Sequence, residues 1–224
     1  MLPLILNLKN KKVVIFGGGS VGERKAKLFS AHSDTVVVSR EFTDDLKKLG
    51  KTGKVELIRD DLTEFDKYLK DAFIVIPATS DKDLNVRIAD KARNCEKLVN
   101  TVDELGDVVV PSVISKGDIL ISISTLGKSP GMCKFIRKQI DEEIGDAHSS
   151  MVRLQEEVRN LLKDRVDDQK IREKILWEIL EDETVWKDLL ESYDKTYSSV
   201  LKLIERGRFD RNNKYAGNPC KGKR

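Results

Sequence analysis

The chain has 224 residues, of which 39% are hydrophobic and 35% charged, and a formal net charge of +3. That length holds one large domain or a medium one with appendages. The small charge, with no long Lys/Arg block and no evident platform of aromatic residues for base stacking, excludes a nucleic-acid binder.

The apolar start "MLPLILNL" is too short for a membrane span or a signal core and lacks a basic leader and a cleavage site. It is expected to cover the first strand. Three cysteines without CxxC spacing and only two histidines argue against a disulfide framework and against a His/Cys metal site. A reduced, cytoplasmic, soluble protein without a resident metal is expected.

In chain order, "KKVVIFG" reads as a buried strand, "SVGERKAKLFSAH" as a helix and "DTVVVS" as a second strand. "TDDLKKLG" reads as a short helix, "KVELIRD" as a strand and "LTEFDKYLKD" as a helix. "AFIVIPAT" is a strand, "DKDLNVRIADKARNC" a helix and "KLVNTV" a strand. Such alternation predicts an α/β fold, a Rossmann-type parallel sheet covered on both faces.

From Val108 the rhythm changes. "DVVVPSVISKGDILISIST" predicts two strands joined by "SKGD", and "SPGMCKFIRKQIDEEI" predicts a helix with Ser129 as N-cap and Pro130 at its first position. Beyond Asp146 only helical spacing remains. Met151, Leu154, Val158, Leu161 and Leu162 form one stripe, and Ile171, Ile175, Leu176 and Ile179 a second. Trp186, Leu189, Leu190, Tyr193 and Tyr197 form a third, and all three are expected to be core. The polar end "DRNNKYAGNPCKGKR" is expected to be disordered.

Gly17-Gly18-Gly19-Ser20-Val21-Gly22 fits GxGxxG between a strand and a helix. Gly17 permits the tight turn, Gly19 lets backbone amides approach a pyrophosphate, and Gly22 lets helix and strand pack closely. The helix that follows carries Arg24 and Lys25 in its first turns, where the helix dipole disfavours cations. At the end of the second strand Ser39 can bond a ribose hydroxyl, while Arg40 would accept a 2′-phosphate, so the residues leave NAD and NADP open.

Ala78 and Thr79 end the fourth strand at the edge where ligands lie, and are assigned to the cofactor. "VNTVDE" ends the fifth strand and offers Asp103 as a general acid/base. Ser124, Thr125, Lys128 and Ser129 form a hydroxyl-rich anion site before a helix that adds Lys134, Arg137 and Lys138.

Taken together, "LPLILNLKNKKVVIFGGGSVGERKAKLF", "IPATSDKDLN", "VNTVD", "VPSVISKGDILISIST" and "GKSP" resemble the precorrin-2 dehydrogenase/ferrochelatase module of siroheme synthases. The resemblance covers roughly residues 1–145. It implies a homodimer with an NAD-binding Rossmann domain over 1–112 and a small α+β dimerisation segment over 113–146. A C-terminal helical domain over 147–210 would close over the substrate, with a disordered tail at 211–224. The implied reaction oxidises precorrin-2 to sirohydrochlorin with NAD+, followed in many members by insertion of Fe2+ to give siroheme.

On this reading Asp103 is the acid/base. Gly17, Gly19, Ser20, Val21, Gly22, Ser39, Arg40, Ala78, Thr79 and Val102 hold the dinucleotide. Ser124, Thr125, Lys128, Lys134 and Arg137 hold the carboxylates of the tetrapyrrole, and Arg24 and Lys25 become further candidates for them. The chain departs from the pattern where it carries Leu126 in place of a frequent glycine. It also lacks an acid for the ribose at the second strand, and His148 falls near a histidine of some relatives. A dehydrogenase without chelatase activity is the nearest alternative, and an NAD-responsive redox sensor that binds a partner is the alternative from another class.

Overall fold

The computed structural model describes residues 1–102 and 106–205. They form two units, Met1–Pro111 together with Thr125–Ser129, and Ser112–Ser124 together with the chain from Pro130 onward.

In the first unit, β1 (Lys12–Phe16), α1 (Ser20–Phe29), β2 (Asp34–Ser39), α2 (Asp44–Lys51) and β3 (Val55–Arg59) precede β4 (Ala72–Pro77), α3 (Lys82–Asn94) and β5 (Leu98–Val99). The strands are all parallel, in the order β3-β2-β1-β4-β5. Their unbroken apolar runs are explained by burial on both faces. Val14, Phe16, Val36, Val38 and Val75 pack on one side with Ile88 and Ala92 of α3. Val13, Ile15, Val37, Ile74 and Ile76 pack on the other with Ala26 and Phe29 of α1 and Leu46 of α2. Side chains cap two of the helices. Thr43 Oγ1 accepts from Leu46 N at the start of α2, and Asp81 Oδ1 accepts from Leu84 N at the start of α3.

Three expectations need correcting. "LTEFDKYLKD" holds only a 3-10 turn at Phe65–Tyr68. Asp60 Oδ1 accepts from Leu62 N at 2.7 Å and Asp61 Oδ1 from Thr63 N at 3.0 Å. These bonds turn the chain through Leu62 at φ +65°, which keeps the start of this stretch out of a helix. One short turn suffices to bury Phe65 and Leu69. Of the apolar start of the chain only Leu8 reaches the core beside β1. Met1, Leu2, Leu4, Ile5 and Leu6 are exposed. The fifth strand is also shorter than its pattern, pairing only through Leu98 and Val99.

The second unit begins with an antiparallel hairpin, β6 (Ser112–Lys116) and β7 (Ile119–Ile123), turned through Gly117 and Asp118. The strand expected from Val108 thus starts at Ser112. Five helices follow among the described residues: α4 (Pro130–Glu143), α5 (Asp146–Arg165), α6 (Gln169–Glu181), α7 (Glu183–Glu191) and α8 (Tyr193–Glu205). Met151, Leu154, Val158 and Leu162 of α5 form the spine of the helical core, with Ile175, Ile179, Val185, Leu189 and Val200 around it. Two residues of the expected stripes face outward, Leu190 at 74% exposure and Ile171 at 36%. Leu189 is buried, and Leu190, about 100° further round α7, turns to solvent. No helix among the described residues is long and apolar enough to cross a membrane. The expected disordered tail lies outside the described residues.

Candidate functional site

At the carboxyl edge of the sheet β1 runs between β2 and β4, the point where the strand order reverses and where open α/β sheets receive ligands. The chain leaves β1 through Gly17, held by Gly17 N donating to Val38 O at 2.9 Å. Gly17 has φ +119°, and a Cβ there would strike the backbone of Ala78 as it leaves β4. A Cβ on Gly22 would strike Gly17 O, so this glycine lets α1 lie against the turn. Gly19 differs, because a Cβ there meets nothing within 4 Å. Gly19 is also the N-cap of α1, and no side chain caps the helix. The first amides of α1 are left for an anion, beside a glycine opening on empty space. These residues fit the pyrophosphate of a dinucleotide.

A cleft of about 610 Å³ continues from this turn, lined by Gly17, Gly19, Ser39, Arg40, Ala78 and Thr79 among others. Thus six of the residues assigned to the cofactor from sequence line one hollow. Ser20 and Val21 stand in the first turn of α1, and Gly22 is spent on packing. Val102 lies elsewhere, with Thr101, Pro77, Asn85 and Val86 around a second hollow of about 350 Å³.

The reading of the second strand missed an acid that comes from the third. Asp61, just past β3, lines the same cleft, as does Glu41. The Thr63 amide and then the Thr63 hydroxyl beside Asp61 hold its carboxyl below the usual range. Arg40 Nη2 lies 3.4 Å from Asp61 O, and Arg59 Nε donates to Arg40 O at 2.8 Å, fixing the cleft's outer wall. On the β4 side Asn85 clamps Thr79. Its Oδ1 accepts from Thr79 N at 3.0 Å and its Nδ2 donates to Thr79 O at 3.0 Å. The "DLN" of "IPATSDKDLN" carried this signal, since Asn85 stands one helical turn beyond the cap Asp81.

At the end of β5 the buried Asn100 is the centre of a small network. Its amide donates to Val75 O at 3.0 Å and its Nδ2 to Val108 O at 2.7 Å. Its Oδ1 accepts from Lys25 Nζ at 2.6 Å. Lys25 is therefore turned inward from α1, and burial, helped by the charge of Arg24, pushes its ammonium down from the usual lysine value. Asp103 lies outside the described residues.

Of the proposed substrate residues, Thr125 and Lys128 belong to the first unit, and Ser124, Lys134 and Arg137 to the second. Thr125 Oγ1 accepts from Ser129 N at 3.0 Å, and Lys128 N donates to Thr125 O, which closes the loop on itself. Leu126 in this loop has φ +51°, so the chain keeps the left-handed backbone suited to glycine although a leucine occupies it. Lys134 and Arg137 are exposed on α4. His148 accepts from Gly145 N at 3.2 Å through Nδ1 and packs on Trp186, ring centroids 5.0 Å apart. That is the work of a helix start.

Residues 4–112 match the sequence profile of an NAD(P)-binding family. A precorrin-2 dehydrogenase of Methanosarcina barkeri is 50% identical over 208 residues, 91% of this chain and 93% of that one. A siroheme synthase of Photorhabdus laumondii is 30% identical over 180 residues, 79% of this chain but 38% of that longer protein. Among solved structures a precorrin-2 dehydrogenase matches with a TM-score of 0.72 at 23% identity, covering 90% of this chain and all of that one. The last of these speaks for the fold.

Proposed function

The chain belongs to the precorrin-2 dehydrogenase family, and from that premise we propose that it oxidises precorrin-2 to sirohydrochlorin with NAD+. NAD is the cofactor of the family, and the first unit has the sheet and glycine turn to hold it. When bound, the dinucleotide supplies the hydride acceptor. The observation that carries the reading is the uncapped start of α1 beside Gly19, at the sheet edge where β5, the strand that precedes Asp103 in sequence, also ends.

Loss of a hydride from the tetrapyrrole is accompanied by loss of a proton, and Asp103 takes that proton as general base. Gly17, Gly19, Ser39, Ala78 and Thr79 orient the dinucleotide. Asp61 and Glu41 outnumber Arg40 in the cleft and disfavour a 2′-phosphate by like charge, which supports NAD over NADP. Ser124, Thr125, Lys128, Lys134 and Arg137 bind carboxylates of the substrate. Homodimer formation is supported by α4, which buries none of its 14 residues and exposes Met132 and Phe135, while Val113 and Leu120 are exposed on the hairpin.

A second reading adds Fe2+ insertion into the product, supported by likeness to a siroheme synthase. No group of three or more His, Cys, Asp or Glu among the described residues could hold a metal ion. In this reading Fe2+ is a substrate, and Asp103 would accept the displaced pyrrole protons. Anaerobic assays of the wild type and Asp103→Asn separate these steps. Dehydrogenation by the variant should fall by about 100-fold or more with NAD affinity kept. Wild-type acceleration of iron insertion above the rate of metal alone supports the second step, and its lack leaves a dehydrogenase.

A further inference from the structure

Lys25 crosses to Asn100, 75 residues away in sequence, and the bond is short at 2.6 Å. Asn100 is 4% exposed, and among the described residues both ends of its amide are engaged. A lysine ammonium only donates and a backbone carbonyl only accepts, so with Lys25 on Oδ1 and Val108 O on Nδ2 the carboxamide has one orientation. Around it Val108 N donates to Val99 O at 3.1 Å, and Val99 N to Asp107 Oδ2 at 3.2 Å. Asn100 thus ties Val108 to the end of β5, beside the two bonds made by Val99.

Placing a lysine here has a desolvation cost, and among the described residues no carboxylate pairs with it. A shorter side chain would leave a buried amide oxygen without a donor. The same helix that begins at the dinucleotide turn therefore reaches the tie about 7.5 Å further along its axis.

We propose that Lys25 is a positioning residue: by fixing Asn100 it sets the end of β5, from which the chain runs on in sequence to Asp103, at the sheet edge where α1 begins. The proposal rests on the reading of Asp103 as acid/base.

The test is a double-mutant cycle of Lys25→Met and Asn100→Ala, with kcat and KM for precorrin-2, NAD affinity by calorimetry, and hydrogen exchange of the Val99 and Val108 amides. The proposal expects kcat to fall about 10- to 100-fold in Lys25→Met, as for a misplaced reacting group, with KM and NAD affinity changed less than about twofold. The double variant should be no worse than Asn100→Ala, because the two residues act as one unit. Val108 should lose protection while the amides of β1 keep theirs. A raised KM with kcat held, and effects that add, would make Lys25 a direct substrate contact and overturn the proposal. If Asn100→Ala does not fold, the KM-against-kcat split and the exchange of Lys25→Met decide alone. If the wild type does not turn over precorrin-2, the reading of Asp103 fails separately. Unchanged Val108 protection overturns the positioning of the β5 end whatever the activity.

Discussion

The glycines of the opening turn meet different surroundings, and their substitutions should part accordingly. Alanine at Gly17 meets the backbone of Ala78 at a φ of +119°, so it should destabilise the fold by about 1–3 kcal/mol or more. Alanine at Gly19 meets empty space in the apoprotein and should leave the melting temperature nearly unchanged, while weakening NAD binding at least about tenfold by filling the place of the pyrophosphate. Thermal melts and NAD titrations of both variants check this. The fingerprint was legible in sequence because each glycine has a separate steric duty. Asp61 was not, because it reaches the cleft from the strand after the one whose end supplies the acid in the usual pattern. Lys25 was legible only as an open question: spacing placed it on α1, and only the β5 end showed what it reaches.

At the scale of elements, the turn after β3 has its own electrostatics. Asp60 accepts from Tyr68 Oη at 2.6 Å and pairs with Lys67 at 2.8 Å. Lys67, then Tyr68 and the Leu62 amide, hold its carboxyl down at about 2. The unfolded chain, with its carboxyl near 3.8, therefore takes up the proton first as the solution is acidified. The contribution of Asp60 to stability is whole above about pH 4 and is lost as pH falls toward 2. Denaturant melts across that range should show a shallower acid slope for Asp60→Asn than for the wild type. This turn is also where sequence reading failed, since the apolar spacing of Phe65 and Leu69 suits a helix or a single turn equally. What decided was Asp60 and Asp61 bonding to nearby amides, a local competition that periodicity does not register. The long helices α3 and α5 were legible because their caps or stripes agree with the burial they reach.

At the scale of the molecule, the parallel sheet and the helical bundle could be read from alternating strand and helix periods, since each unit buries its own core. The hairpin and α4 were legible as strands and a helix; Ile114 and Ile123 there are buried, whereas Val113, Leu120, Met132 and Phe135 are exposed. A two-stranded sheet is marginal alone, and α4 offers Phe135 at 56% exposure. Sedimentation should find a dimer for the wild type and a monomer for Phe135→Asp, with the melting of the first unit unchanged. A monomeric wild type at micromolar concentration would contradict the proposed assembly. The most direct measurement of the central claim is anaerobic incubation of the wild type with precorrin-2 and NAD+, following NADH and the sirohydrochlorin spectrum together. Both should rise in equal amounts, with NADP+ substituting poorly. Sirohydrochlorin formed without NADH, or neither product with either dinucleotide, would contradict it.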